Sequence, residues 1–207
     1  MKRFLRHNGL SMTLGALFLI FWSCQAVSGW KVHTAEATLH RQPPIGFMDY
    51  LSTGHFWQAT GENWESEFLQ MDAYVLLTCF LFQKGSAESK DPDTPADGKL
   101  SSQVKKHYSW LYRHSLTLAF LALFLLSFTV HALGGLADQN DMRAEHQLPE
   151  ESLAEFLSSA EFWFQSFQTW QSEFLAVLSI VVLSIFLRQE GSPESKKVTA
   201  PDSQTGE

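Results

Sequence analysis

Acidic and hydroxyl residues inside apolar stretches are the first places to look for chemistry, and in this chain some of them occur twice. The run Trp64-Glu65-Ser66-Glu67-Phe68-Leu69 returns 106 residues later as Trp170-Gln171-Ser172-Glu173-Phe174-Leu175. Glu67 and Glu173 therefore stand three residues, about 4.5 Å along a helix, past a tryptophan. A carboxylate at that depth keeps contact with interfacial water, so its desolvation is modest. Two chemistries fit. Ser66/Glu67 and Ser172/Glu173 are polar helix starts that hydrogen-bond a facing helix or loop, or the two glutamates line a cation or proton path. Asp72 is deeper, about 12 Å beyond Trp64. An ionised aspartate near the middle of a membrane helix costs about 2.5–3.5 kcal/mol, so such residues usually mark function. Its counterpart in the second copy is Leu178, which leaves Asp72 to face a partner helix in an oligomer or to stay protonated.

Other constellations are weaker. His33, Glu36 and His40 share one face if that segment is helical, but the second copy offers Gln139, Met142 and His146. Neither copy keeps a zinc ligand set, and no metal is expected. Cys24 and Cys79 match Val130 and Ile185 and sit toward opposite ends of their segments, so an internal disulfide is not expected. No nucleophile elbow, P-loop, dinucleotide fingerprint or His-Glu-x-x-His occurs, so no enzyme and no cofactor is expected. With 15 Lys plus Arg against 22 Asp plus Glu, the net charge of −7 argues against nucleic acid as a partner.

The elements that must position these residues are hidden by averages. The mean hydropathy of −0.09 over 207 residues suggests a water-soluble domain. The apolar residues are instead gathered into blocks. Residues 10–28, 64–83, 115–134 and 170–189 are each long enough as helix to cross a hydrocarbon core of ~30 Å. Between Phe56–Lys90 and Phe162–Lys196, 17 of 35 positions are identical without a gap. The same offset pairs Ala16-Leu17-Phe18-Leu19 with Ala122-Leu123-Phe124-Leu125, and Gly29 with Gly135. The chain is a tandem duplication of a two-helix unit. The mid-chain counterpart of the first block cannot be a signal peptide, so the first block is expected to be a retained helix. Twelve of the 15 basic residues lie before helix one, between helices two and three, or at and after the end of helix four. That asymmetry puts both termini in the cytoplasm, and an even number of spans per copy makes the repeats parallel.

The expected layout is a first repeat at 1–90, a disordered cytoplasmic linker at 91–108, a second repeat at 109–196 and a disordered tail at 197–207. Gly85 and Gly191 follow helices two and four, where a left-handed residue commonly closes a helix. Pro149-Glu150-Glu151-Ser152 reads as a helix start. The aromatic periodicity after it predicts an amphipathic helix in the outer interface, with a weaker copy from Pro43 to Trp57. Trp57, Trp64, Trp163 and Trp170 serve as interfacial anchors.

Phe4-Leu5-Arg6-His7-Asn8-Gly9-Leu10-Ser11, Gln42-Pro43-Pro44, the block from Trp64 to Pro92, His131-Ala132-Leu133-Gly134-Gly135 and Phe162 to Ser195 together resemble a bacterial integral membrane family known only as a domain of unknown function. The resemblance covers nearly the whole chain. It implies a bacterial membrane protein, brings no activity or site residue with it, and puts a small apolar residue at the position of Asp72. The expected fold is all-α: a polytopic membrane protein of four transmembrane helices in two parallel repeats with outer interfacial helices. The expected role is a non-enzymatic inner-membrane scaffold, envelope or partner-binding protein. The alternative is an ion, proton or small-solute pathway along the pseudo-twofold axis or in an oligomer. The lipid bilayer is the first partner, with a second copy or another membrane protein left open.

Overall fold

The computed structural model describes residues 2–39, 43–93 and 108–206. Most of the expected linker, and His40, lie outside them. The described residues form helices and turns: α1 (Lys2–Leu39), α2 (Phe47–Tyr50), α3 (Gly54–Leu77), α4 (Trp110–Arg113), α5 (Ser115–Glu145), α6 (Leu153–Leu157) and α7 (Ala160–Phe186).

Among the described residues, three helices are long and apolar enough to cross a membrane: α1, α5 and α7. The expected fourth span, 64–83, does not join them. Helix α3 carries Glu62, Glu65, Glu67 and Asp72, and it stops at Leu77, where Thr78 to Phe80 turn out of the helix. The apolar runs also end before their helices do. Nothing after Ser28-Gly29 or Gly134-Gly135 forces a break, so α1 and α5 continue for about ten residues. Helix α5 closes on Gln147, at φ 57°, with Leu148 N–H bonded to Arg143 C=O at 2.9 Å, a left-handed cap of the Schellman type.

The predicted amphipathic helix after Pro149 is reduced to the single turn of α6. Ser152 accepts from Glu155 N–H while the Glu155 carboxylate accepts from Ser152 N–H, a reciprocal cap. Ser159 then caps α7 through Phe162 N–H. The aromatic stripe from residue 160 onward thus belongs to the long helix itself. Helices α2 and α3 begin at Phe47 and Gly54, and α6 and α7 begin 106 residues later, at Leu153 and Ala160.

The chain divides into two compact units. In the unit of Met1–Ala59 and Leu133–Glu151, the core is Ala26, Tyr50 and Phe56 under Trp22, Trp30 and Phe47. Tyr50 and Phe56 meet edge to face at 5.8 Å and 67°. In the unit of Thr60–Ala132 and Ser152–Glu207, the equivalent rings Phe156 and Phe162 meet at 5.4 Å and 65°. Such edge-to-face pairs are worth about 0.5–1.5 kcal/mol beyond their buried area. Gly61 brings α3 against α5, and a Cβ there would fall on the backbone of Val130 and His131. A small residue at a helix crossing lets the backbones close up in this way.

Polar side chains fill much of this second unit. Thr60, Glu65, Ser66, Ser127, His131 and Ser166 are buried, whereas Leu125, Leu126, Leu175, Leu178 and Leu183 are exposed. The two Gly-Ser-x-Glu-Ser-Lys segments fold alike. Gln83 N–H donates to Ser89 Oγ and Gln189 N–H to Ser195 Oγ, each at 2.8 Å, and Gly85 and Gly191 have φ of 89° and 81°. The tail, expected to be disordered, is bonded to the first of these turns. Thr205 Oγ1 accepts from Gly85 N–H at 2.9 Å and Ser86 C=O from Gly206 N–H at 2.9 Å. The buried Lys196 ammonium lies within hydrogen-bonding distance of the carbonyls of Gly85, Ile185, Pro201, Asp202 and Gln204.

Candidate functional site: a buried acid–base pair

The deepest chemistry in the second unit is Glu65 of α3 facing His131 of α5. His131 Nδ1 lies 2.8 Å from Glu65 Oε2, and both side chains are fully buried. The other carboxylate oxygen accepts from Trp170 Nε1–H of α7 at 2.9 Å. The other imidazole nitrogen lies 3.3 Å from Gln165 Oε1, also on α7. Phe162 stacks on the imidazole at 4.8 Å and 26°. Three helices therefore meet on one acid and one base. Burying a lone charge in such surroundings is costly, and pairing it with satisfied hydrogen bonds removes most of that cost.

Local sequence explains the placement. Gly61 lets α3 reach His131, and Glu65 follows one turn later on the same helix. Ser127 precedes His131 by one turn on α5, and both are buried. On α7, Phe162 and Gln165 meet the imidazole from one side. Glu62, half-buried, lies three residues before Glu65 on the same helix. Burial pushes its carboxyl up, the His131 imidazole opposes that, and Glu65 adds to it.

The residues singled out by the duplication lie elsewhere. Glu67 is exposed and Glu173 half-buried. Ser66 and Ser172 bond their own helices, through Asn63 C=O and Thr169 C=O at 2.8 Å each, not a facing element. Asp72 Oδ1 is buried without a hydrogen-bond partner among the described residues. Trp57 is partly exposed, and Trp64 half-buried. Trp163 Nε1–H donates to Leu157 C=O at 2.9 Å, while Trp170 belongs to the acid–base site. Glu65 was not legible from the duplication, because its counterpart is Gln171. The available cue was His131, the only titratable residue in its apolar run.

In the first unit, His33, Glu36, His55, Asp138, Glu145 and His146 line a cavity of about 320 Å³. Tyr50 Oη and His55 Nδ1 are 3.0 Å apart. Burial pushes the Tyr50 phenol up, and Asp138 adds to that shift. Two members of the expected His33/Glu36 face do meet other titratable groups, but among the described residues no three such side chains converge to hold an ion.

Residues 1–207 match a family described as "Domain of unknown function (DUF6766)". The chain belongs to this family. No curated protein matches it, and no solved structure does. In this member of the DUF6766 family the buried Glu65–His131 pair is the most enclosed titratable contact among the described residues.

Proposed function

We propose that this family member is an integral protein of the bacterial inner membrane that acts as a non-enzymatic scaffold or partner-binding component. Its four spans, 10–28, 64–83, 115–134 and 170–189, form two parallel repeats with both termini in the cytoplasm. The inverted burial in the second unit carries the reading, because polar side chains inside and leucines outside suit a lipid solvent. Helix α3 falls short in hydropathy through its acids. Glu65 has His131 and Trp170 as partners, so that charge does not meet lipid alone. The matching ring pairs at an offset of 106 residues and the basic residues gathered in three segments support the repeat and its orientation.

Reporter fusions test the topology. Cytoplasmic activity is expected after residues 98 and 207, and exported activity at 41 and 149. Exported activity at 98 would mean that α3 does not cross, and the four-span reading would fall. The scaffold role predicts that the protein extracted in mild detergent runs as a stoichiometric assembly. A lone chain of 23.5 kDa in its lipid–detergent belt would overturn it.

A further inference from the structure

We infer that Glu65, His131 and Gln165 form a store for one exchangeable proton, an activity beyond scaffolding that rests on the same reading of α3, α5 and α7 as membrane helices. Hydrogen-bond bookkeeping leads there. Gln165 presents its amide oxygen to His131 Nε2, and an amide oxygen only accepts, so Nε2 carries hydrogen. Two lone pairs do not face each other at 2.8 Å, so a proton also lies between Nδ1 and Glu65 Oε2. Trp170 Nε1–H can only donate, and it bonds Glu65 Oε1. The pair thus holds one proton and has no net charge, the cheapest state inside a bilayer.

Loss of that proton leaves the Glu65 carboxylate and a neutral imidazole with a single N–H. That hydrogen sits on Nδ1 and donates to the carboxylate, and Nε2 becomes an acceptor. The Gln165 amide then turns end for end and presents its NH2 group. Oxygen and nitrogen of an amide are nearly the same size, so the turn displaces no neighbour. Both states keep every hydrogen bond. This distinguishes an exchange site from a fixed ion pair.

In this change the His131 Nε2–H bond breaks and the proton shared with Glu65 settles on Nδ1; the one proton lost in the balance is taken up by water, with the Glu62 carboxylate as its carrier. On α3, Glu62 is the titratable group whose carboxyl responds to both His131 and Glu65. Helix α5 contributes His131 itself, and α7 faces it with Phe162, Gln165 and Trp170, which do not titrate. The pair has no exposed surface, so a hydrated ion cannot reach it, whereas a proton can hop.

The test uses the full chain in lipid nanodiscs with labelled histidine, titrated while nitrogen NMR follows His131 and infrared difference spectra follow carboxyl groups. His131→Gln assigns the signal among the eight histidines. The expected result is one midpoint at which a protonated carboxyl band disappears and His131 Nε2 changes from N–H to lone pair. Glu65→Gln removes that band. Gln165→Met offers Nε2–H only a weakly accepting sulfur and offers the lone-pair state no donor, so proton affinity should rise, by less than the roughly tenfold that one whole hydrogen bond would give. Should the unmodified chain show no change across its folded pH range, or two separate midpoints, the store does not exist. A band that survives Glu65→Gln assigns the titration to another carboxyl and overturns the proposal. A chain that stays monodisperse in water without lipid or detergent would defeat the membrane reading instead, and the titration would remain measurable.

Discussion

Glu65 Oε2 and His131 Nδ1 stand 2.8 Å apart with neither side chain exposed, although 66 positions separate them in sequence. This contact joins the helix with the most acids to the most apolar long run of α5. It should therefore dominate the stability of the second unit. Glu65→Leu or His131→Leu alone is expected to cost about 3–5 kcal/mol, because each leaves a buried polar partner unmatched. The double variant should cost less than the sum of the two singles. A double-mutant cycle by reversible unfolding in micelles measures the coupling, and additive losses would show that the pair is energetically idle.

Gly61 gives a second, purely steric expectation. Gly61→Val drives a side chain into the His131 backbone, and overpacking of this kind costs about 1–3 kcal/mol. Gly9→Ala meets nothing within 4 Å and, inside α1, should be neutral or stabilise by up to about 1 kcal/mol. Equal unfolding midpoints for the two variants would refute the tight crossing.

Lys196→Met should loosen the tail while leaving the helices intact. It strips the ammonium from the carbonyls of Gly85, Asp202 and Gln204, and unsatisfied buried acceptors are costly. The equivalent Lys90 is exposed, so Lys90→Met should be neutral. Hydrogen exchange at the Gly85 and Gly206 amides should speed up in the first variant alone.

The turn at Glu88 should weaken as pH rises. Burial pushes its carboxyl above the ordinary value, the Tyr74 hydroxyl bond opposes this, and the equivalent Glu194 adds to it. Since the folded pKa lies above the unfolded one, the proton favours the folded turn. That contribution is full below the ordinary glutamate value near 4.5, and it is lost as pH climbs through the raised value. Glu88→Gln should therefore protect the Gln83 amide, which donates to Ser89 Oγ, at neutral pH and flatten its pH dependence. Unchanged protection would contradict a Glu88 carboxyl raised by its partial burial.

Periodicity and block length made α1, α5 and α7 readable, and Ser115 begins α5 where the apolar run begins. The end of α3 at Leu77 was not readable, since Thr78 to Phe82 are as apolar as what precedes them. The duplication pointed to Glu67 and Glu173, whereas the buried pair uses positions where the copies differ, with Gln171 opposite Glu65 and Gln25 opposite His131. Identity between copies records what both halves need to fold. An interaction between one side chain from each copy leaves no such trace, because each half holds only one member of it.

The lock around Gly85 also has a timetable. Gly85 is synthesised 120 residues ahead of Thr205, which accepts its N–H. At about 5–20 residues per second, that turn waits on the order of ten seconds on the ribosome for the segment that closes over it. During that interval the first copy of the Gly-Ser-x-Glu-Ser-Lys turn is open to whatever binds nascent chains, and synthesis of the Thr205 segment withdraws it.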